Sequence, residues 1–208
     1  IREQFVLATK SMSRTAEAMA KDIDISLKNL RTDYIDLYQI HNAPPADLEK
    51  VSAPGGALEA LTAAKTAGKI GHIGITAHSL ETFRMALELP WVETIMFPYN
   101  IVEDQAKALI HACAEKDIGF IAMKPLAGGA IEDAVTALRY VCANPDVTVV
   151  IPGMADVAEL NQNLAAVNDS SPLSVEEEAK MRAIRDALGT QFCRRCNYCQ
   201  PCSAGISI

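Results

Sequence analysis

Short apolar runs rich in β-branched residues alternate along this chain with longer segments rich in alanine and glutamate. The short runs predict strands at residues 5–9, 35–40, 72–76, 94–97, 120–123 and 148–151. The longer segments have the apolar spacing of amphipathic helices and predict helices at residues 15–30, 56–67, 80–88, 103–116, 131–143, 157–167 and 174–188. Ser174 followed by Glu177 is a capping box that marks the start of the last helix. Such regular alternation predicts an α/β fold with a parallel sheet.

The even spacing of these elements favours a closed (β/α)8 TIM barrel over an open sheet. No glycine-rich phosphate fingerprint follows the first strand, as an open dinucleotide-binding sheet would require. Six strands are recognisable where such a barrel has about eight, so the barrel is incomplete. We expect about two strand–helix units to precede Ile1. The barrel is predicted over residues 1–190, with a short cysteine-rich segment over residues 191–208.

Charge and hydropathy narrow the classes of partner. The chain has 208 residues and a formal net charge of −7, and its basic residues are scattered. A scattered pattern lacks the basic patch that binds nucleic acid or an anionic membrane. No apolar stretch reaches the roughly 18 residues needed to cross a bilayer, and no signal-peptide pattern opens the sequence. We therefore expect a cytoplasmic protein whose partner is a small molecule.

Four of the six cysteines stand at intervals of three residues, at Cys193, Cys196, Cys199 and Cys202. Disulfides between such close neighbours would close strained loops, whereas neighbouring Cys-x-x-Cys thiolates converge on one metal centre. An iron–sulfur cluster is the preferred interpretation. A zinc site and a redox dithiol are the alternatives, although zinc sites usually separate two cysteine pairs by a longer spacer. Cys113 and Cys142 lie on apolar helix faces and are predicted to pack in the core.

Polar residues follow the predicted strands at the end where a barrel carries its active site. Lys10 closes the first apolar run and His41 the second. A lone lysine is usually a solvated loop residue, and a lone histidine is usually a packing residue. Because both fall at the catalytic rim, a catalytic role is preferred for each.

Six segments, in order, resemble the aldo/keto reductase family over residues 1 to about 167: FVLATKS, LKNLRTDYIDLYQIHN, KIGHIGITAHS, MFPYN, FIAMKPLAGG and VVIPGM. The closing CRRCNYCQPCSAGISI resembles the branch of that family with a C-terminal ferredoxin-like segment. The resemblance implies a (β/α)8 barrel, hydride transfer between NAD(P)H and a small carbonyl compound, and a 4Fe-4S cluster.

The resemblance also implies roles for the two rim residues. Lys10 matches the family lysine, whose charge depresses the pKa of a proton-donating tyrosine, and His41 matches the histidine that orients the carbonyl. The family's tyrosine and aspartate would lie upstream of Ile1. We therefore expect this chain alone to be inactive.

By the same resemblance, ten residues match positions that hold the dinucleotide: Thr76, Tyr99, Met123, Lys124, Leu126, Gly128, Pro152, Gly153, Gln162 and Asn163. Met123 replaces a stacking ring, Lys124 a serine, Ala77 an asparagine and Met96 a glutamine. Glu159 stands where an arginine usually grips the 2′-phosphate, so NADH is slightly favoured over NADPH. For Glu159, Gln162 and Asn163 the alternative is that they are ordinary polar residues that open a surface helix.

A different class of function remains open. The barrel could be a non-catalytic scaffold, or an electron-transfer or regulatory subunit that docks a redox partner protein through the cysteine segment. The substitutions at Met96, Ala77 and Met123 favour this alternative, whereas Lys10 and His41 favour the enzyme.

Overall fold

The computed structural model describes residues 1–189 and Pro201. The strands are β1 (Ala8–Ser11), β2 (Ile35–Ile40), β3 (Ile70–Thr76), β4 (Thr94–Pro98), β5 (Gly119–Met123) and β6 (Val149–Ile151). The α-helices are α1 (Ala16–Leu30), α2 (Pro45–Ser52), α3 (Ala57–Thr66), α4 (Leu80–Ala86), α5 (Lys107–Glu115), α6 (Ala134–Cys142), α7 (Val157–Asn168) and α8 (Val175–Leu188). Short 3₁₀ turns lie at Arg2–Gln4 and Ala127–Gly129.

The strands follow one another in the sheet in the order β1-β2-β3-β4-β5-β6. The pairs from β1 to β4 are parallel, and one row of the register joins Lys10, Gln39, Gly74 and Thr94. Sequential parallel strands with intervening helices are the arrangement of a βα barrel. The predicted α/β class and its six strands are confirmed, and so is the capping box of α8, in which Ser174 and Glu177 bond each other's backbone.

Two local predictions differ from the structure. β1 begins at Ala8 rather than at residue 5, because Phe5 and Val6 are exposed and Leu7 donates its N–H to the Asp36 carboxylate at 2.8 Å. Lys10 therefore lies within the strand and not after it. The helix α2 was not predicted, since it is short and opens on Pro44 and Pro45. Proline is favoured at the first helical position, although a proline pair suggests a loop.

The chain divides into two compact units. The first contains Ile1–Phe97 and Ala106–Ile121, and the second contains Pro98–Gln105 and the described residues from Ala122 onward. In the core of the first unit, the ring centroid of Phe83 lies 5.2 Å from that of Phe97. It lies 5.8 Å from the ring centroid of Phe120, and these two rings are stacked. The core of the second unit is an apolar cluster that joins α6 and α8 to the loops after β4 and β5: Ile101, Val102, Ala127, Ile131, Ala137 and Met181.

The two cysteines of the described region have different surroundings. Cys113 on α5 is buried as predicted, and burial raises the pKa of its thiol to about 12. Cys142 is exposed, so the prediction of core packing is wrong for this residue. It is the last residue of α6. Among the described helices, none combines the length and the apolar character needed to cross a membrane.

Candidate functional site

Lys10 lies on β1, and His41 follows the neighbouring strand β2, both in the first unit. Lys10 is exposed on β1 and stands opposite Gln39 of β2 in the parallel register. His41 follows β2 directly, and its backbone N–H donates to the Ser11 carbonyl at 2.8 Å. The ladder between β1 and β2 thus continues through His41 and fixes its backbone beside the end of β1.

The surroundings of His41 keep its side chain uncharged near neutral pH. Partial burial lowers the pKa of the imidazole below its usual 6.5, and the positive charges of Lys10 and Arg14 lower it further. Both effects disfavour the protonated form. A neutral imidazole can donate one N–H to a ligand oxygen while a cation stands nearby.

Arg14 is a functional candidate that the sequence analysis missed. Its guanidinium donates to the carbonyls of Met12 and His41, each at 2.8 Å, and to that of Asn42 at 3.3 Å. Its Nε donates to the Asp47 carboxylate at 3.0 Å, and this bond lowers the pKa of Asp47. Arg14 therefore ties the loop after β1 to the loop after β2. The one feature of the sequence that could have indicated Arg14 is its position in the loop between β1 and the start of α1.

Thr76, a predicted cofactor contact, is buried at the end of β3. Its Oγ1 accepts the backbone N–H of Asn42 at 2.8 Å. Asn42 has a φ of 47°, a left-handed conformation that asparagine tolerates better than most residues. Ala77 is also buried, and its N–H donates to the Met96 carbonyl at 2.9 Å. The Thr76 hydroxyl thus holds the residue that follows His41.

A cleft of about 560 Å³ lies in the second unit, between the loop after β5 and the start of α7. Its lining includes seven of the ten residues predicted to bind the dinucleotide: Met123, Lys124, Leu126, Gly128, Gly153, Gln162 and Asn163. The sequence places these residues in three separate segments. The fold of this unit brings them to one cavity, whose volume is typical of a small-molecule site.

The loop after β5 has a backbone shaped by left-handed residues. Lys124, Ala127, Gly128 and Gly129 have φ values of 54°, 51°, 71° and 88°. The Ala127 N–H donates to the Lys124 carbonyl at 2.9 Å, and the Gly129 N–H donates to the Leu126 carbonyl at 2.9 Å. The N–H groups of Ala127 and Gly129 are thus used within the loop. Backbone turns with left-handed residues form concave sites for anions where their remaining N–H groups point to one side.

The opposite wall of the cleft is the first part of α7. Asn163 is 6% exposed, lines the cleft and makes no side-chain hydrogen bond within the described residues. Glu159 also lines the cleft, and its Oε2 accepts the Ala155 N–H at 2.6 Å. This bond fixes a carboxylate at the N-terminal end of the helix. Glu132 adds a second carboxylate to the lining.

Tyr99 and Pro152, two further residues predicted to bind the dinucleotide, are not among the residues that line the cleft. Tyr99 is buried, its ring lies 5.6 Å from that of Tyr140, and its hydroxyl accepts from Asn144 Nδ2 at 3.4 Å. The Tyr99 N–H donates to the Met123 carbonyl at 3.2 Å. Pro152 is half-buried directly after β6, and Gly153 beside it is exposed, with open space around its Cα.

The predicted metal ligands Cys193, Cys196, Cys199 and Cys202 lie outside the described residues. Within residues 1–189, no three side chains of histidine, cysteine, aspartate or glutamate gather in a way that could hold a metal ion.

Comparison with known proteins gives a consistent result. The model described as "Aldo/keto reductase family" matches residues 1–137. L-galactose dehydrogenase of Arabidopsis thaliana is 26% identical over an alignment of 219 residues, gaps included, and the match covers 85% of this chain and 68% of that protein. Aldo-keto reductase yakc [NADP(+)] of Schizosaccharomyces pombe is 29% identical over 150 residues, with 64% and 42% covered. Aldo-keto reductase YhdN of Bacillus subtilis is 36% identical over 116 residues, with 49% and 32% covered.

The chain spans between 32% and 68% of the length of these three curated relatives. Among solved structures, the apo form of aldo-keto reductase AKR11C1 from Bacillus halodurans superposes with a TM-score of 0.73. It is 23% identical, and the match covers 88% of this chain and 72% of that one. At this identity the likeness is one of fold.

Proposed function

The chain belongs to the aldo/keto reductase family, and we propose that its gene product is an oxidoreductase that transfers hydride between a nicotinamide dinucleotide and a small carbonyl compound. The observation that carries the proposal is the cleft of the second unit. A loop of left-handed residues, the cation Lys124 and the buried amide of Asn163 converge on a cavity of about 560 Å³. These are the groups that suit phosphates at one end and a nucleobase at the other.

We assign the two walls of the cleft to the two ends of the ligand. The loop from Lys124 to Gly129 would receive the pyrophosphate on its backbone, next to the lysine charge. Gln162 and Asn163 would meet the adenine, because their amides offer both donors and acceptors to the edge of a base. Met123 would contact the nicotinamide through its polarisable thioether.

Lys10 and His41 are proposed as the groups that act on the substrate. When bound, the reduced nicotinamide supplies the hydride to the carbonyl carbon. The neutral imidazole of His41 donates an N–H to the carbonyl oxygen and so orients it. By the resemblance, Lys10 would lower the pKa of a tyrosine upstream of Ile1, and that tyrosine would donate the proton that the carbonyl oxygen takes up as the hydride reaches the carbon. Arg14 holds the backbone of His41 in place, because its guanidinium donates to the carbonyls of Met12 and His41.

We propose NADH as the preferred form of the cofactor. Glu159 and Glu132 put two carboxylates on the lining of the cleft. A carboxylate accepts a hydrogen bond from a ribose 2′-hydroxyl but repels a 2′-phosphate. Lys124 is a cation of the same cleft, and we place it at the pyrophosphate rather than at the ribose.

We further propose that Cys193, Cys196, Cys199 and Cys202 ligate a 4Fe-4S cluster in a segment, residues 191–208, that follows the barrel of residues 1–190. Such a cluster carries single electrons, so it would serve structure or a redox partner protein rather than the hydride step. The competing proposal is a scaffold or electron-transfer subunit without carbonyl reductase activity. The partly non-standard nicotinamide contacts, Ala77 and Met96, favour that competitor.

The test is a fluorescence titration of the natural full-length gene product, purified anaerobically, with NADH and NADPH in parallel. Saturable binding, followed by oxidation of the bound nucleotide when small aldehydes and ketones are added, is the expected result. A folded protein that binds neither nucleotide would refute the reductase and leave the scaffold. Binding without turnover across the carbonyl panel would support a binding role alone.

A further inference from the structure

The loop after β4 contains a buried pair of polar side chains close to the cleft loop. Asn100 is 0% exposed and Glu103 is 3% exposed. The two residues also exchange backbone bonds, since each N–H donates to the other's carbonyl at 3.2 Å. A carboxylate and an amide seldom lie so deep unless their bonds are satisfied by defined partners. Their partners therefore reveal what the pair does.

The Asn100 amide uses its full capacity for hydrogen bonds. Its Oδ1 accepts the backbone N–H groups of Val102 at 3.0 Å and Glu103 at 2.9 Å. Its Nδ2 donates to the Glu103 carboxylate and to the Lys124 carbonyl, each at 3.0 Å. An amide has two donor hydrogens and two acceptor lone pairs, and all four are engaged here. No other residue type can make this set of bonds from the same position.

The bond to Lys124 is the one that leaves the loop after β4. Lys124 is the first residue of the cleft loop and has a φ of 54°, a conformation that costs a lysine free energy. Its carbonyl also accepts the Ala127 N–H at 2.9 Å, the bond that closes the first turn of that loop. Asn100 thus binds the carbonyl on which the turn is built. A carbonyl held on one side by a buried amide has little freedom to rotate.

We propose that Asn100, held by Glu103, is a positioning residue that fixes the Lys124 backbone and so keeps residues 124–129 in the shape that receives the dinucleotide phosphates. The inference rests on the proposed function for its ligand. It assigns a role to two side chains that lie outside the cleft lining. Neither touches the nucleotide in this proposal, and both act through the Lys124 carbonyl.

Asn100 and Glu103 could instead stabilise only the loop after β4, without positioning residues 124–129. The same loop is anchored on another side by α8, where Arg185 donates its Nε to the Ile101 carbonyl at 2.9 Å and pairs with Asp104 at 3.0 Å. The substitution Arg185→Met removes that anchor without touching Lys124. It is the matched control, because it loosens the loop after β4 by a different route.

Two substitutions distinguish the bonds of Asn100. Asn100→Asp keeps the acceptor oxygen, removes the donor to Lys124 and sets two carboxylates against each other. Glu103→Gln keeps an acceptor for Asn100 and leaves the Lys124 bond intact. In the double variant N100D/E103Q, the new amide donates to the new carboxylate, so the contact between positions 100 and 103 returns. The donor to the Lys124 carbonyl does not return.

Three quantities are measured on the full-length protein: the Kd for NADH, the melting temperature, and amide hydrogen exchange in a peptide covering residues 124–129. For the double variant we expect a Kd about 10-fold higher, the effect of losing one buried hydrogen bond, with faster exchange at residues 124–129. For Glu103→Gln alone we expect the Kd for NADH and the exchange at residues 124–129 to be close to those of the wild type. For Arg185→Met we expect a lower melting temperature with exchange at residues 124–129 unchanged.

Several results would overturn the inference. If N100D/E103Q matches E103Q in both Kd and exchange, the Lys124 bond does not position the loop. If R185M changes the Kd and the exchange as strongly as the double variant, the pair is only structural. If the wild type binds neither NADH nor NADPH, the proposed function fails, and hydrogen exchange then decides the positioning role without any nucleotide. Exchange at residues 124–129 that is the same in the double variant and the wild type would refute it.

Discussion

The protonation state of His41 depends on its burial and on two cations that lie far from it in the sequence. Burial has the largest effect on its pKa, and Lys10 and Arg14 add two positive charges from the other strand and its loop. All three act in the same direction, against the imidazolium. Lys10 and Arg14 therefore add to the effect of burial, and all three favour the neutral imidazole.

Replacing Lys10 by methionine should raise the pKa of His41 toward 6.5, because one of the two cations that oppose its protonation is removed. NMR titration of the imidazole protons measures this shift. Lys116→Met is the matched control, since the Lys116 charge is not among those that shift His41. An unchanged His41 titration in the Lys10 variant would mean that the two side chains do not interact.

Glu159→Gln should tighten NADPH binding roughly fivefold and leave NADH binding nearly unchanged. The substitution removes a negative charge from the cleft, while the remaining amide oxygen can still accept the Ala155 N–H. Parallel fluorescence titrations of the full-length protein measure the two Kd values. Glu176→Gln on α8 makes the same change in charge outside the cleft and should alter neither. Equal effects on both nucleotides would argue against placing the 2′ position beside Glu159.

The strand β3 passes between two polar side chains that leave no room for a larger residue. A Cβ on Gly74 would stand 2.1 Å from Thr94 Oγ1 and 3.3 Å from Gln39 Cγ. Thr94 Oγ1 and Gln39 Nε2 are buried and have no hydrogen-bond partner among the described residues. The glycine therefore lets β2, β3 and β4 bring one layer of polar groups together across the sheet.

Gly74→Ala should lower the free energy of unfolding by about 1–3 kcal/mol, the usual cost of overfilling a packed interior. Urea denaturation followed by circular dichroism measures it. Gly153→Ala is the stability control, because a Cβ at that position meets no atom within 4 Å. A Gly74 variant as stable as the wild type would show that Thr94 and Gln39 can move apart at no cost.

The helix α8 is tied to α6 by one buried cation. Arg139 is 4% exposed, and its guanidinium donates to Glu177 Oε1 at 2.9 Å and to the Ser171 carbonyl at 2.8 Å. It also bonds the Asp169 carbonyl. These partners lie at the end of α7, in the following loop and in the first turn of α8, so a single side chain of α6 fixes the path of the chain into its last described helix.

Arg139→Met should lower the free energy of unfolding by about 2 kcal/mol, since several charge-assisted bonds are lost at a buried site. Chemical denaturation of the full-length protein measures the change. Arg182→Met is the control. It removes an exposed ion pair between Arg182 and Glu178, both on α8, and should lower the free energy of unfolding by no more than about 0.5 kcal/mol. Equal costs for the two variants would contradict the anchoring role of Arg139.

The same contact predicts an acid dependence. Hydrogen bonds from Arg139 and Ser174 lower the pKa of Glu177 to about 2 in the folded protein, from the 4.5 of an unperturbed glutamate. The carboxylate therefore stabilises the fold above pH 4.5, and this contribution is lost as the pH falls toward about 2. In the Arg139→Met variant, stability should fall less steeply over that interval, which denaturation at a series of pH values would measure.

For the chain as a whole, the cysteine run makes a prediction independent of the described residues. Anaerobically purified full-length protein should contain about four iron and four sulfide per chain, with a visible charge-transfer absorption. Cys196→Ser should remove most of the iron, whereas Cys142→Ser should retain it. Zinc in place of iron, by elemental analysis, would refute the cluster and support the four-cysteine zinc alternative.

Within residues 1–189, the pattern of the sequence was enough to predict the order of the six strands along the chain and seven of the eight α-helices. Buried β-branched runs and helical apolar spacing are local properties, because each element must hide one face whatever lies opposite. The strand over residues 35–40 was predicted to the residue, since its apolar run ends sharply at His41. The resemblance to the family supplied Lys10, His41 and most of the cleft lining.

The hydrogen-bond partners of the site could not be read from such patterns. Arg14 bonds the His41 carbonyl, Thr76 accepts from Asn42, and Asn100 bonds the Lys124 carbonyl, over separations of 27, 34 and 24 residues. A polar side chain in a loop has the same local signature whether it is solvated or engaged in such a bond. Which carbonyl or N–H it meets is settled when the helices and strands pack and bring distant loops together. The elements thus follow from local chemistry, and the bonds that shape the site follow from packing.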